Sequence, residues 1–240
     1  RICLRERCYG AGVVSFIYFI MFVNDLWLTK TVNTLVPYSS LVYVILVNTF
    51  ALLLFGIQHS VMARPAFKSW ITCFIDPSVE RSTYIIATAL AIGGMCHLWT
   101  PIGSVLWQVE SGIGVYLIRG IAIFGWVFLF LATFMINHFE LFGLKQIVDN
   151  LKGKITANPK FETNFLYKIV RHPIMLGFII AFWATPEMTV GHLIFSITTT
   201  VYIIVAVKYL EEKDLRKSIG KEYEEYQKKV PMIYPITKKK

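Results

Sequence analysis

The chain has 240 residues, 55% of them hydrophobic and 16% charged, with a formal net charge of +9 and a mean hydropathy of +0.57. A soluble domain of this size usually carries about a quarter charged residues, and here the charges are gathered between long apolar runs. Composition therefore excludes an ordinary soluble domain. It predicts an all-α integral membrane protein, because within lipid a helix satisfies its own backbone polar groups.

Six apolar segments follow in chain order, at about 9–28, 40–58, 82–99, 112–136, 173–185 and 190–209. The basic start before the first has no small-residue cleavage site after it, so the segment reads as a span and not as a signal peptide. Asn24, Asp25 and Trp27 suit an interfacial cap and aromatic belt. The fifth segment reaches only about 20 Å at 1.5 Å per residue, short of a roughly 30 Å hydrocarbon core. It either gains a turn at its ends or forms a helical hairpin with the sixth through Thr185-Pro186-Glu187. If the two ends of the chain and the stretches near 60–81 and 138–172 share one side, that side holds every Lys and Arg except Lys30 and Arg119. The positive-inside bias then predicts about six spans with N- and C-termini cytoplasmic. Arg119, near the outer end of the fourth segment, suits snorkelling to headgroups, although an intramembrane charge is also a functional candidate. The four cysteines, Cys3, Cys8, Cys73 and Cys96, form no CxxC pair and no metal-ligand spacing, so no metal is expected. Most of the positive charge is accounted for by topology; nothing points to a nucleic acid or an obligate protein partner.

The longest polar stretches, 137–172 and 211–240, flank the last two apolar segments. The first ends in Arg171-His172-Pro173. Proline suits the first helical position, which puts Arg171 and His172 at a helix mouth where free N–H groups and the dipole favour an anionic group. The sixth segment exits into Glu211-Glu212, and two adjacent carboxylates at a membrane surface require cationic or hydroxyl partners. Together they suit a zwitterionic, hydroxyl-bearing ligand; the same spacing also suits charged anchors at helix ends. Beyond Glu212, Leu215, Ile219, Tyr223 and Tyr226 recur at helical spacing, predicting an amphipathic helix weakened by Gly220 and ended by Pro231 and Pro235. That helix reads as a lid over the mouth or as a helix resting on headgroups.

These residues carry a resemblance. Arg171-His172-Pro173, Gly177, Trp183, Glu211-Glu212, Gly220, Tyr223, Tyr226, Val230-Pro231 and Pro235 resemble the isoprenylcysteine carboxyl methyltransferase superfamily of membrane methyltransferases. The strings from Gln58-His59 to Arg64-Pro65, Glu80-Arg81-Ser82-Thr83-Tyr84, Asn137-His138-Phe139-Glu140 through Gln146, and Ala181 through Leu193 narrow it. They are similar to the branch holding the methanethiol S-methyltransferases and the nurim-like proteins. The likeness covers about residues 50 to 235. The chain departs from the wider superfamily at Met175, where an aromatic is common.

The resemblance implies one multispan methyltransferase domain, with four spans in 1–136 and a cofactor-binding half in 137–240. It implies S-adenosylmethionine bound through Arg171, His172, Pro173, Gly177, Glu211 and Glu212. Gln58, Asn137 and Tyr84 are the expected substrate-side residues, with Arg81 near the chemistry. No strand-plus-GxGxxG fingerprint is present, which excludes a soluble Rossmann-type methyltransferase. A small thiol is protonated at neutral pH and its thiolate is the nucleophile, so a base is expected: His59 first, then His138 and Glu140. The specific expectation is methanethiol converted to dimethyl sulfide. The alternatives are a lipidic acceptor, such as an isoprenylcysteine carboxylate, and a non-catalytic nurim-like protein, for which Arg171-His172-Pro173 and Glu211-Glu212 would have no use.

Overall fold

The computed structural model describes residues 2–34, 40–136 and 163–235. It is mainly helical: α1 (Ile2–Val23), α2 (Leu41–Met62), α3 (Pro65–Ile71), α4 (Pro77–Leu98), α5 (Gly112–Ile136), α6 (Pro173–Trp183), α7 (Val190–Ala206), α8 (Glu212–Ile219) and α9 (Lys221–Lys229). The α5 bounds match the apolar run. Other ends shift both ways: α1 starts seven residues before its apolar run and stops five residues short of its end, and α6 stops at Trp183 without gaining a turn. α4 begins five residues before its run because Pro77 can occupy a first-turn position and Glu80 complements the N-terminal dipole. Inside the 60–81 loop, Pro65 starts the short α3 at N1. α2, α5 and the helical course Val190–Ile219 are long and apolar enough to cross a membrane; Cys8–Val23 and Pro173–Trp183 are shorter apolar helices. Large exposed side chains such as Phe50 and Leu53 on α2, and Leu117, Phe124 and Phe134 on α5, suit lipid contact.

The chain divides into two compact units. Among the described residues the first holds 2–34, 40–107 and 187–194, and the second holds 108–136, 163–186 and 195–235. In the first unit α1 and α2 both pack along α4. Buried Asn48, two turns into α2, exchanges two 2.8 Å bonds with the Thr100 backbone, as a buried amide requires. In an otherwise helical structure, consistent with the all-α expectation, β1 (Val105–Gln108) and β2 (Glu187–Thr189) pair as a small two-stranded sheet that the sequence did not announce. Both strands are short connections whose backbone groups lack helical partners, and pairing satisfies them. Asn33 ties this corner down, donating to the Glu187 carbonyl at 3.2 Å and accepting from the Thr189 hydroxyl at 2.9 Å.

In the second unit α6 lies along α5. Two glycines face each other there: a Cβ on Gly125 would sit 2.9 Å from the Gly177 carbonyl oxygen, and one on Gly177 would sit 2.8 Å from that of Gly125. Trp126 meets Phe178 and Phe182 edge-on beside them. α6 and α7 touch near their connection. Ser196 donates to the Phe182 carbonyl at 2.9 Å, and Phe182 and Phe195 pack edge to face at 5.2 Å. After α7 a single π turn (Val207–Glu211) leads into α8. The single amphipathic helix expected from the sequence is two helices, because Gly220 adopts φ +76° and ends the first.

Candidate functional site

The α6 N-terminus is built as the sequence suggests, with His172 as N-cap and Pro173 in the first turn. The residues before it dock onto the tail. The Arg171 and His172 N–H groups donate to the carbonyls of Pro231 and Met232 at 2.9 and 3.0 Å. The π turn widens the helix by one bond, carrying the Glu212 N–H to the Val207 carbonyl, and sets Glu211 and Glu212 against this mouth. Such turns are frequent at functional sites.

Arg171, His172 and Glu212 are 8, 6 and 5% exposed. Arg171 donates from Nε to Glu212 Oε1 at 2.7 Å, with Nη2 at 2.5 Å from the same oxygen. Its Nη1 donates to the Gln227 carbonyl at 3.1 Å and to that of Val230. Glu212 Oε2 accepts from Gln227 Nε2 at 3.0 Å. A buried ion pair repays desolvation only when its remaining donors and acceptors are filled, and here the tail backbone fills them. The arrangement makes Arg171 a clamp on the C-terminal segment.

His172 lies between both glutamates, with Nε2 3.3 Å from Glu212 Oε1 and Nδ1 3.5 Å from Glu211 Oε1. Burial alone would lower its pKa, but the hydrogen bonds and negative charge of Glu211 and Glu212 outweigh it and raise the pKa to about 9. Glu211 is the member of this cluster that reaches solvent, its side chain 41% exposed. A half-exposed carboxylate beside an imidazolium can accept from an ammonium group or vicinal hydroxyls. Pro173 is buried in the first turn of α6, and Gly177, one turn further, serves the contact with α5.

In the first unit, Gln58, His59, Arg81 and Tyr84 come together at the adjoining ends of α2 and α4. The Tyr84 hydroxyl lies 3.0 Å from His59 Nδ1 and 3.2 Å from Nε2. Phe55, one turn earlier on α2, stacks on the His59 ring at 5.3 Å. The Arg81 guanidinium lies 5.2 Å over the Tyr84 ring. Gln58 Nε2 is 3.1 Å from Met62 Sδ and 3.4 Å from Thr88 Oγ1. Asn137, His138 and Glu140 lie outside the described residues.

The sequence reading missed Gln227, whose side chain and carbonyl complete the Arg171–Glu212 pair. A signal existed: Gln227 falls on the stripe of Tyr223, Tyr226 and Val230, a polar residue on the face that docks. Phe55, Met62 and Thr88 were also missed; nothing in their residue types marks them as neighbours of Gln58 and His59.

Residues 45–236 match the family described as NnrU protein. The chain is 45% identical over 227 residues to Methanethiol S-methyltransferase 2 of Bradyrhizobium diazoefficiens, covering 95% of this chain and 86% of that protein. Methanethiol S-methyltransferase of Mycobacterium tuberculosis is 42% identical, with 95% of this chain and 94% of that protein covered. Nurim of Rattus norvegicus is 30% identical over 69% of this chain and 65% of its own length. No solved structure matches the chain. With the family match running from α2 to the docked tail, and with relatives aligned along nearly the whole chain, this protein belongs to the NnrU family.

Proposed function

We propose that this protein transfers a methyl group from S-adenosylmethionine to a small thiol, with methanethiol converted to dimethyl sulfide. The reading is supported by 40–45% identity to relatives named for that activity over 89–97% of the chain. The observation that carries it beyond a name is the buried Arg171–His172–Glu212 cluster with Glu211 at its open edge. A scaffold would have no need to bury three charged groups beside a half-exposed carboxylate.

The chemistry of the donor set fits the cofactor at one end. Glu211 and His172 are suited to the ammonium group and ribose hydroxyls, while Arg171, committed to Glu212 and the tail, closes the site over the ligand. Pro173 and Gly177 set the course of α6 behind it. S-adenosylmethionine, when bound, supplies a methyl group already activated on a sulfonium, so the protein has to position, dehydrate and deprotonate. His59 is the proposed base, with Tyr84 fixing its ring and Arg81 supplying positive charge near the developing thiolate. Gln58 and Asn137 belong to the proposed substrate side, and His138 and Glu140 are the alternative bases.

The architecture proposed for this chemistry is one multispan domain, with four spans in 1–136 and a cofactor-binding half in 137–240. It has about six spans and both termini cytoplasmic, a placement supported by the charge distribution. The bilayer is its solvent.

The similarity to nurim supports a second reading, a non-catalytic membrane protein. Incubating the purified full chain with methyl-labelled S-adenosylmethionine and methanethiol separates the two. Labelled dimethyl sulfide is expected in the headspace. Intact cofactor binding with no transfer to any thiol would leave the non-catalytic reading, and transfer only to an added isoprenylcysteine would redirect the activity to a lipidic acceptor.

A further inference from the structure

A guanidinium and a carboxylate commonly pair as a fork, one oxygen to each of two parallel N–H groups. Arg171 and Glu212 meet differently. Nε and Nη2 of Arg171 both converge on Glu212 Oε1, at 2.7 and 2.5 Å. The other oxygen, Oε2, is turned to α9, where Gln227 Nε2 donates to it at 3.0 Å. Oε1 is also the atom that lies 3.3 Å from His172 Nε2. Donors from two cationic side chains thus gather on one oxygen, while a neutral amide holds the second.

Gln227 is engaged at both of its ends. Its main-chain carbonyl accepts from Arg171 Nη1 at 3.1 Å, so its backbone steadies the cation and its side chain steers the anion. Were the amide removed, the carboxylate would be drawn toward the fork, sharing its two oxygens between Nε and Nη2. Oε1 would then cease to be the meeting point of Arg171 and His172. The effect reaches further, because His172 Nδ1 lies 3.5 Å from Oε1 of half-exposed Glu211. Gln227, Glu212, His172 and Glu211 form a line of contacts from the tail to the open edge of the mouth.

We propose that Gln227 is a positioning residue of the cofactor site: by holding Glu212 Oε2 it keeps Oε1 on Arg171 and His172 together, and so fixes the His172 ring beside Glu211. The inference rests on the cofactor reading of this mouth and adds to it a residue that acts only through others. The requirement at position 227 is a hydrogen-bond donor. Leucine has similar bulk and no donor, and a carboxyl group donates only when protonated. The ionisable groups around Glu212 are Arg171, His172, Glu211, Tyr223 and Tyr226. Burial raises both phenols, and His172 is raised to about 9. All three therefore keep their protons from about pH 8 down to about pH 5.5.

The test compares wild type, Gln227→Leu and Gln227→Glu as full chains in nanodiscs. Two quantities are read: equilibrium binding of labelled S-adenosylmethionine, and the His172 ring N–H signals of the cofactor-free protein by ¹⁵N NMR, assigned with His172→Asn. Gln227→Leu is expected to weaken cofactor binding by about three- to tenfold and to shift the His172 Nε2–H signal. Gln227→Glu is expected to be as weak at about pH 8, where a carboxylate repels Glu212. Relative to wild type it should recover toward about pH 5.5, where its protonated carboxyl donates to Oε2. A side chain that merely packs the tail would give no such acid recovery. Wild-type affinity in Gln227→Leu would overturn the proposal, as would a Gln227→Glu deficit that is the same at both pH values. If the wild type binds no cofactor, the cofactor reading fails by itself. The NMR arm then decides the inference: a shifted His172 signal in Gln227→Leu upholds the steering of the cluster, and an unshifted one overturns it.

Discussion

His172 sits between two carboxylates, which favour its protonated form. Its pKa is raised from an ordinary 6.5 to about 9. A histidine whose folded pKa lies above its unfolded one contributes stability fully below the unfolded value. That contribution is lost as pH rises through the folded one. Wild type is therefore expected to melt above His172→Asn at about pH 6, with the difference shrinking from about pH 6.5 and gone above about pH 9. Thermal unfolding across that range checks it, and a difference that grows with pH would contradict the account. At the same scale the sequence is informative about residue types and poor on partners. Arg171 and His172 announce a helix mouth through Pro173. That Arg171 is bound to Glu212, 41 positions on, and to main-chain carbonyls of the tail carries no signature in spacing, because backbone acceptors are the same at every residue.

Helix ends and contacts follow from local rules where the chain is apolar, and from neighbours where it is not. α5 was legible in full, because an unbroken apolar run has no competing reading. α4 extends beyond its apolar run, and the 105–108 and 187–189 strands exist only because each finds the other. Which glycines matter was equally hidden: Gly125 and Gly177 are separated by 52 residues of chain but face one another across α5 and α6. An alanine at Gly177 would drive its Cβ to 2.8 Å from the Gly125 carbonyl and the Leu129 Cβ. Backbone on the far side cannot yield as a flexible side chain does. Gly177→Ala is expected to destabilise the second unit by about 1–3 kcal/mol, measured as a lowered thermal midpoint. Gly120→Ala on the facing helix α5, with nothing within 4 Å, is expected to leave the midpoint unchanged. Equal midpoints for the two variants would mean that α5 and α6 do not meet as described.

The whole molecule combines an apolar helical body with polar groups concentrated at particular helix ends. Composition and charge carried that reading, since lipid leaves few alternatives to helices and the cations are so unevenly distributed. They could not give the closure of the mouth, which depends on contacts between residues 171–172 and 227–232. The central claim is that this tail-closed mouth holds S-adenosylmethionine, and equilibrium binding of the labelled cofactor to the full chain tests it most directly. Glu211, half-exposed and outside the Arg171–Glu212 pair, can be altered without opening the clamp. Glu211→Gln is expected to stay folded, with a modestly lower thermal midpoint because His172 loses one of its two carboxylates, and to lose about tenfold or more in affinity, the worth of a charge-assisted hydrogen bond. Arg119→Gln, remote on α5, is expected to bind as wild type does. Unchanged affinity in a folded Glu211→Gln protein would contradict the account and move the cofactor away from this mouth.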